Sequence, residues 1–585
     1  MGFAPVGHRG RRPGSRRLAF LGLVLGGGAA MAPLAAAAAP TPPPPAAAQQ
    51  GEQIQRQQQE QIDQDQTRIL TSPRGQTVIE VPTHPQAVVP KGACQTITRI
   101  SFLHAPKMSD KDREKLTAPF LNKCLGLGDV ENLLSDITRF YIDHDEPTTR
   151  VYIQPQNLTQ GVLVLEVVEG KVEKIELQNK GTHGVNLTTA FGARANAVFN
   201  LRVFEQGLDQ VNRLASNHAT LDILPGSAPG ESVIAIRNTA GAPLHVSASY
   251  DNTGQPSTGH NQGSVSLIGD DFFGLNDQIS YTRRQTIPDG RPNADSRSNS
   301  VLVSVPYNKL LLTLGASDSD YTSQTATSGG TVFVLSGYNR NIFAELDAAV
   351  WRNRTSKLNL SATVTSKLNR NFIDGAYLSV SSRSLTVLDL WADYTTVVGH
   401  GSVKLGLGWS QGLNALGALR DPAGLPSDSA HAQFGKLQAR AYLSLPFRLG
   451  GQTLLFTSEV QGQYALKPLY SSEQIVVGSP YTVRGFLLGS VIDDRGFYAQ
   501  NDLSLLRNVR LAGQTLSLRP HVGLDGGYAT GVASRVGGGF VSGGSLGVAV
   551  QTGRISIDAY TSHSISRAGL RDEGFVTFVR ATLAI

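Results

Sequence analysis

The residues of this chain with the clearest capacity for specific chemistry are one arginine and one aspartate. Arg484 lies within Val483-Arg484-Gly485-Phe486, and Asp525 follows 41 residues later. A guanidinium stays charged at physiological pH and can bind a carboxylate through two parallel hydrogen bonds. If the fold brings the two groups together, they form an ion pair that fixes a loop.

The segment around Asp525 has the pattern of a strand. In residues 516–525 the even positions are apolar, and side chains on a strand alternate between its two faces. If the apolar face meets lipid, the opposite face lines a lumen, and it carries Ser517, Arg519, His521 and Asp525. A lumenal carboxylate favours a cationic partner such as Arg484. The alternative is a solvated loop arginine and an unrelated pore-lining aspartate.

The sequence gives little support to an enzyme. Its twelve histidines are scattered, with no pair at metal-ligand spacing on a helix and no nucleophile elbow. It also contains no phosphate-binding loop and no dinucleotide fingerprint. His521 lies close to Asp525 in sequence, but its place on the lumenal face favours a pore-lining role. We therefore expect no catalytic residue, no metal and no cofactor; an outer-membrane enzyme is the least favoured class.

Length and composition favour a membrane barrel. The chain has 585 residues and is therefore too long for one ordinary globular domain. It contains 62 glycines and only 17% charged residues. Outside the N-terminal region it has no apolar run of about 18 residues, which argues against membrane-spanning helices. Barrel strands expose only every second residue to lipid and so leave no such run.

The N-terminal region, residues 1–39, has the order of a secretory signal peptide. Five arginines precede a short apolar segment and a run of alanines that offers a cleavage site near residue 38 or 39. These arginines account for five of the six net positive charges, which leaves +1 for the exported chain. The basic balance therefore gives no reason to expect a nucleic-acid partner.

The two cysteines, Cys94 and Cys124, lie in the exported part of the chain. In an oxidising compartment such a pair favours a disulfide over a metal site, because no histidines cluster with it. A closed loop of this length would contribute roughly 3 to 4 kcal/mol of stability.

The residues before 243 divide into a tether and two similar modules. Residues 40–93 combine Pro-rich linkers with a Gln-rich stretch, 51–70, that predicts a polar helix or a disordered tether. Residues 94–169 and 170–242 each predict a strand, helices and further strands, a repeat of roughly 75 residues. Within these modules the patterns predict a helix over 110–123 and another over 204–214.

Residues 243–585 alternate apolar and polar side chains with a period of two. Seventeen such stretches can be counted, but 331–335 and 342–351 are nearly contiguous and predict one long strand. Sixteen strands satisfy the even number expected of a single-chain outer-membrane barrel. The long loop 466–495 then follows the eleventh strand and begins on the extracellular side. A globular sandwich is the alternative.

In its motifs the chain resembles the TpsB transporters of two-partner secretion, the family of haemolysin and filamentous haemagglutinin exporters. The resemblance covers nearly the whole exported chain. It rests on Cys94 and Cys124 and on a fixed order of short motifs: Leu158-Thr159-Gln160-Gly161-Val162-Leu163, Val168-Glu169-Gly170-Lys171-Val172, Phe204-Glu205-Gln206-Gly207-Leu208-Asp209-Gln210, Leu224-Pro225-Gly226, Tyr250-Asp251-Asn252-Thr253-Gly254, Gly274-Leu275-Asn276-Asp277, Val483-Arg484-Gly485-Phe486 and Gly523-Leu524-Asp525-Gly526-Gly527.

The resemblance implies a plug helix within 40–93, POTRA domains at 94–169 and 170–242, and an all-β, sixteen-stranded antiparallel transmembrane barrel over 243–585. Its loop 466–495 would fold inward and place Arg484 against Asp525 on the barrel wall. Val483, Gly485 and Phe486 would complete the loop motif, and Gly523 and Gly527 the wall motif. One departure is the C-terminus, which ends in Ala584-Ile585 where many relatives end in an aromatic residue.

The implied function is export of one large secreted partner protein, a TpsA-like adhesin or haemolysin, across the outer membrane of a Gram-negative bacterium. The POTRA domains would lie in the periplasm and bind the partner. The implied surroundings are outer-membrane lipid and, during biogenesis, the barrel-assembly machinery. The alternatives are an insertase for barrel proteins or lipids in the same superfamily and, less favoured, a diffusion porin.

Overall fold

The computed structural model describes residues 45–70, 94–180, 184–326, 330–511, 513–532 and 538–585. The predicted signal peptide and the linker residues 40–44 and 71–93 lie outside them. The chain begins, within this part, with helix α1 (Pro45–Leu70), whose glutamines and glutamates favour a helix. Among the described helices, none is both long and apolar enough to cross a membrane.

The first module is a three-stranded sheet covered by helices. Its sheet has the order β2-β5-β4, with β2 parallel to β5, and a separate pair, β1 and β3, lies beside it. Leu133, Ile137 and Tyr141 of α3 pack against Leu163 and Leu165 of the sheet. The elements are β1 (Gln95–Ile97), β2 (Arg99–Leu103), α2 (Asp110–Thr117), β3 (Lys123–Leu125), α3 (Leu127–Asp143), β4 (Arg150–Tyr152) and β5 (Val162–Val168).

The helix predicted over 110–123 is shorter in the structure. It begins after Ser109, whose hydroxyl accepts a hydrogen bond from the backbone N–H of Asp112, and it ends at Thr117. Pro119 follows in a short 3-10 turn and is incompatible with the interior of an α-helix. The chain then enters β3, which the sequence pattern did not reveal.

The second module repeats the arrangement. Its sheet has the order β6-β8-β7, with β6 parallel to β8, and Phe204, Leu208 and Val211 of α5 pack onto it. Its elements are β6 (Lys171–Lys180), α4 (Leu187–Phe191), α5 (Leu201–Asn212), β7 (Ala219–Pro225) and β8 (Glu231–Thr239). The helix predicted over 204–214 starts earlier because the Asn200 side chain caps its first N–H groups.

The rest of the chain forms a closed barrel of sixteen long antiparallel strands, as predicted. The two stretches expected to merge form the single strand β14. The two-residue β16 pairs with the end of β15. The strands are β9 (Leu244–Asp251), β10 (Gln262–Asp270), β11 (Gln278–Thr286), β12 (Asp295–Tyr307), β13 (Leu310–Ala326), β14 (Val332–Arg352), β15 (Ser356–Ile373), β16 (Ala376–Tyr377), β17 (Arg383–Val398), β18 (Gly401–Leu413), β19 (Gly435–Leu449), β20 (Gln452–Ala465), β23 (Arg495–Leu511), β24 (Gln514–Thr530), β25 (Gly539–Thr552), β26 (Ile555–Arg567) and β27 (Phe575–Ala584).

The faces of the barrel are the reverse of those of a globular sandwich. Along β13, Thr313, Ser317 and Ser319 face inward and are buried, while Leu312 and Leu314 face outward and are exposed. An exposed apolar band around a polar interior suits a wall between lipid and a lumen. The sandwich alternative is therefore wrong.

The loop between β20 and β23 turns back into the barrel. It contains a 3-10 turn at Ser471–Glu473 and a hairpin of β21 (Ile475–Val477) and β22 (Val491–Asp493). We call residues 466–494 the inner loop, because most of them are buried against the barrel wall.

Candidate functional site in the barrel lumen

The inner loop meets the wall at Arg484, which forms a two-point ion pair with Asp525 of β24. The Arg484 Nε donates to Asp525 Oδ2 at 2.6 Å, and Nη2 donates to Oδ1 at 2.8 Å. The backbone N–H of Arg484 also donates to Oδ2, at 3.1 Å. Both side chains are buried, with 5% and 2% of their residues' surface exposed. The structure thus brings together the two residues that the sequence analysis paired.

A second carboxylate, Asp502 of β23, completes the arginine site. It accepts from Arg484 Nη1 at 2.7 Å, and the Asn501 carbonyl accepts from Nη2 at 3.1 Å. The β23–β24 ladder skips from the pair Ala499–Gly526 to the pair Asp502–Gly523 at this point. The sequence analysis missed Asp502, although its place on an alternating strand before Asp525 was a signal.

His521 lies between two carboxylates of the barrel wall. Its Nδ1 lies 3.6 Å from Asp502 Oδ1, and its Nε2 lies 3.2 Å from Asp558 Oδ1. Within the described residues, no group of three or more acidic, histidine or cysteine side chains could hold a metal ion.

Glycines make room for the inner loop. Gly485 has φ +105°, a conformation that favours glycine, and a Cβ there would lie 2.7 Å from the His563 backbone. A side chain at Gly523 would collide with the Arg484 guanidinium, and one at Gly527 with Val477. Gly543 of β25, which the sequence analysis missed, approaches the Arg484 carbonyl so closely that a Cβ would overlap it.

Apolar packing and a third carboxylate hold the rest of the motif. Val483 and Phe486 are fully buried in a cluster with Tyr498 of β23 and other apolar side chains. Glu573, in the loop between β26 and β27, accepts hydrogen bonds from the backbone N–H groups of residues 487, 488 and 489 at 2.9 to 3.1 Å. Nothing in the local sequence pointed to Glu573.

The inner loop has a separate anchor at Glu473. Its carboxylate lies 2.6 Å from Lys367 Nζ of β15 and 3.3 Å from Lys436 Nζ of β19. Burial alone would raise the pKa of Glu473, but the two ammonium groups outweigh burial and lower it from 4.5 to about 2. Glu473 is thus a buried anion held between two lysines. These lysines lie on β15 and β19, whereas Asp525 lies on β24.

Helix α1 lies inside the barrel, against the inner loop and the wall. The amide of Gln55 makes a hydrogen bond of 3.1 Å with Asn371, Glu52 pairs with Arg383 at 2.6 Å, and Arg56 donates to the Ser472 carbonyl at 3.0 Å. The two wall residues among these partners, Asn371 of β15 and Arg383 of β17, lie at the strand ends remote from the two modules. The helix therefore narrows that end of the lumen.

Contacts of α1 are mostly polar. Among its apolar side chains, Ile54 packs against Tyr321 and Leu335 of the wall. Glu60 of α1 is partly buried within the lumen. Desolvation raises the pKa of Glu60 from 4.5 to about 7, against the opposing effect of the nearby Arg56.

The second module is bound tightly to the barrel. Arg213, which follows α5, donates to Ser304 Oγ and to the Asn276 carbonyl, each at 2.7 Å. Burial lowers the pKa of Arg213 from 12.5 to about 10. Arg202 of α5 pairs with Asp145 of the first module at 2.8 Å, which links the modules to each other.

In the first module, Cys94 and Cys124 form a disulfide with a Cα–Cα distance of 5.2 Å. It joins the residue before β1 to the adjacent strand β3, with which β1 pairs. The bond therefore fixes the pair at the edge of the module.

Comparison with known proteins assigns the family. A model described as "Haemolysin secretion/activation protein ShlB/FhaC/HecB" matches residues 230–550. Models of a "POTRA domain, ShlB-type" and a "POTRA domain" match residues 95–170 and 171–225.

Individual relatives support the same family assignment. The outer membrane transporter CdiB of Dickeya dadantii is 32% identical over 414 residues, which cover 71% of this chain and 73% of that protein. The hemolysin transporter protein ShlB of Serratia marcescens is 32% identical over 79% of this chain and 78% of its own. The solved structure of CdiB from Escherichia coli has a TM-score of 0.80, with 25% identity and coverage of 94% and 100%. The chain therefore belongs to the ShlB/FhaC/HecB family, the TpsB outer-membrane transporters of two-partner secretion, and its POTRA domains are periplasmic.

Proposed function

We propose that this transporter exports one large partner protein, of adhesin or haemolysin type, in an extended state and without ATP. The observation that carries the proposal is how the lumen is filled. Two segments, α1 and the inner loop, occupy a polar channel whose wall residues bond to them through side chains. A channel filled by separable segments, rather than by the wall's own apolar side chains, can be cleared without unfolding the barrel.

We propose that the POTRA domains, residues 94–169 and 170–242, bind the partner before it enters. Each three-stranded sheet ends in edge strands, β2 and β4 in the first and β6 and β7 in the second. An extended peptide can add to such an edge through backbone hydrogen bonds, or lie along a helix groove through apolar contacts. Both modes suit a chain that has not yet folded. Folding outside the cell then prevents its return.

We propose that α1 is the plug that leaves during export. Its polar contacts can be replaced by water, since a typical intramolecular hydrogen bond has a net value of only about 1 kcal/mol. Ile54, buried against Tyr321 and Leu335, adds an apolar contribution of roughly 1.5 to 3 kcal/mol. Release therefore costs far less than barrel unfolding, and partner binding can drive it.

We propose that the Arg484–Asp525 pair holds the inner loop in its working position while the lumen is in use. Val483 and Phe486 hold the loop through apolar packing against the wall. Gly485, Gly523 and Gly527 leave the space that the loop and the ion pair need. The Cys94–Cys124 disulfide has a structural role in the first POTRA domain. The chain itself carries out no catalysis; it contacts outer-membrane lipid, and the barrel-assembly machinery inserts it.

The test is the secretome of a strain that lacks this chain. Export predicts that one large protein disappears from the medium and cell surface while other barrel proteins keep normal levels. An insertase predicts a general loss of outer-membrane proteins, which would refute our proposal. A diffusion porin predicts loss of small-solute uptake with the secretome unchanged, and that result would refute it equally.

A further inference from the structure

The barrel closes between its first and last strands, β9 and β27, through an unusually short ladder. These strands share five residue pairs, from Arg580–Asp251 to Ala584–Ser247. Among the described ladders between the other adjacent long strands, the pairs number from eight to seventeen. The end of β27 remote from the POTRA domains, residues 575–578, therefore extends beyond the backbone bonds of the seam, the last of which runs from the Asn252 N–H to the Val579 carbonyl at 3.3 Å.

The side chain of Asn252 continues that ladder. Its Oδ1 accepts from the Val579 N–H at 2.7 Å, and its Nδ2 donates to the Thr577 carbonyl at 2.9 Å. A primary amide has the same acceptor and donor as a peptide group, so it can stand in for one. The Asn252 side chain thus adds two hydrogen bonds to β27 at the point where the backbone bonds of the seam end.

The neighbouring carboxylate of Asp251 adds ionic contacts at the same place. It is 1% exposed and accepts from Arg284 Nη2 at 2.6 and 2.7 Å, and from Arg580 Nη2 of β27 at 3.3 Å. It also accepts from Thr253 Oγ1 at 2.5 Å. One buried carboxylate therefore joins β27, β11 and the turn that follows β9.

The plug and the inner loop both reach this carboxylate's partners. Asp65 of α1 lies 3.5 Å from Arg284 Nη1, and Gln61 of α1 donates to the Thr253 carbonyl at 3.4 Å. On the loop side, the hydroxyls of Tyr481 and Thr253 lie 2.8 Å apart. A change in either segment therefore acts directly on the groups that hold Asp251.

We propose that Asp251 and Asn252 form a side-chain clasp that completes the closing seam of the barrel, and that α1 tightens this clasp when it occupies the lumen. The second half of the proposal rests on the proposed release of α1; the first half does not. In this view the motif Tyr250-Asp251-Asn252-Thr253-Gly254 positions the seam and connects its stability to the plug.

Hydrogen–deuterium exchange of the full-length transporter in lipid nanodiscs tests the clasp, with the peptide that covers residues 575–585 as the readout. We expect Asn252→Ala to speed its exchange by about tenfold, because two hydrogen bonds are lost. Asn252→Asp keeps the acceptor for Val579 but loses the donor, so an intermediate rate is expected. The matched control is Asn359→Ala, which removes a hydrogen bond to Asp347 within a long ladder.

Deletion of residues 45–70 tests the connection to the plug. We expect faster exchange in the same peptide, with little change across β18, which makes none of the described hydrogen bonds or ion pairs with α1. An unchanged seam in the deletion variant would overturn the connection, and an Asn252→Ala rate equal to that of Asn359→Ala would overturn the clasp. Neither measurement requires an exported protein, so the clasp can fail while export stands, and export can fail while the clasp stands.

Discussion

Removal of the Asp525 carboxylate should detach the inner loop from the wall, by an amount that the geometry allows us to estimate. Asp525 accepts from Arg484 Nε, Nη2 and backbone N, and from the backbone N–H of Asn501. Asp525→Ala leaves a buried guanidinium with Asp502 as its remaining carboxylate. Loss of one partner of a buried ion pair costs about 3 to 5 kcal/mol.

Asp502→Ala should cost less. Its side chain is 25% exposed and makes one hydrogen bond to Arg484, so water can replace part of what is lost. We expect this substitution to weaken the attachment of the inner loop to the wall by about 1 kcal/mol. Asp558→Ala is the matched control, because Asp558 is a wall carboxylate that pairs with His521 rather than with Arg484.

A cysteine introduced at a buried position of the inner loop can report when the loop detaches from the barrel wall. Val476 of the inner loop is 2% exposed, and the two native cysteines form a disulfide, so Val476→Cys supplies a single reactive group. Since 1.4 kcal/mol corresponds to tenfold in an equilibrium, Asp525→Ala should speed labelling by about 100-fold to a few thousand-fold. Asp502→Ala should speed it by roughly fivefold, and Asp558→Ala by little. Equal rates for Asp525→Ala and the control would refute the reasoning.

Charge reversal tests the same pair by secretion. The double variant Arg484→Asp/Asp525→Arg should secrete more than either single variant. It should not reach the natural level, because a carboxylate at position 484 would face Asp502 and the Asn501 N–H would lose its acceptor. Equal loss in the double and single variants would contradict the pairing.

Three further outcomes are expected. The raised pKa of Glu60, about 7 with the plug in place, falls to its ordinary value of 4.5 on release, so plugging is favoured below pH 4.5 and this advantage is lost as pH rises through 7. Channel openings in planar bilayers should therefore be on the order of 10- to 100-fold more frequent at pH 8 than at pH 5, and Glu60→Gln should flatten that profile. Replacing Cys94 and Cys124 by serine should destabilise the first POTRA domain by roughly 3 to 4 kcal/mol, measured by urea unfolding with proteolysis as the probe; an unchanged midpoint would contradict it. Gly543→Ala should displace the inner loop and reduce secretion, whereas Gly544→Ala, whose new Cβ would lie 3.7 Å from its nearest neighbour, should not.

The alternation of side chains predicted the barrel because a wall between lipid and a polar lumen imposes that period on every strand. It also predicted β14 as one strand, since merging restored an even number. The pattern failed at β3 and at the end of α2, where a single proline and a three-residue strand decide the structure. Such short elements leave no periodic signal.

At the site, the sequence predicted the Arg484–Asp525 contact because a lumenal carboxylate favours a cation and the motifs matched a family. It could not predict Glu573 or Glu473. Their partners are backbone N–H groups and lysines more than 35 residues away in the chain, and such partners are common residue types without a distinctive spacing. Only closure of the barrel brings them together.

The two segments in the lumen are held by contacts of different strength, and from this difference we predict the order in which they leave. The inner loop is attached through buried charges: Arg484 between two carboxylates and Glu473 between two ammonium groups. Removing one partner of such a buried ion pair costs about 3 to 5 kcal/mol, because the other charge is left buried without a partner. Helix α1 is attached mainly through neutral amides, with net values of about 1 kcal/mol each. Its two ion pairs, Glu52–Arg383 and Asp65–Arg284, each involve a carboxylate that is 21% exposed, so water can replace part of what they contribute. We therefore expect a partner chain that competes for the lumen to displace α1 first and to leave the loop on the wall.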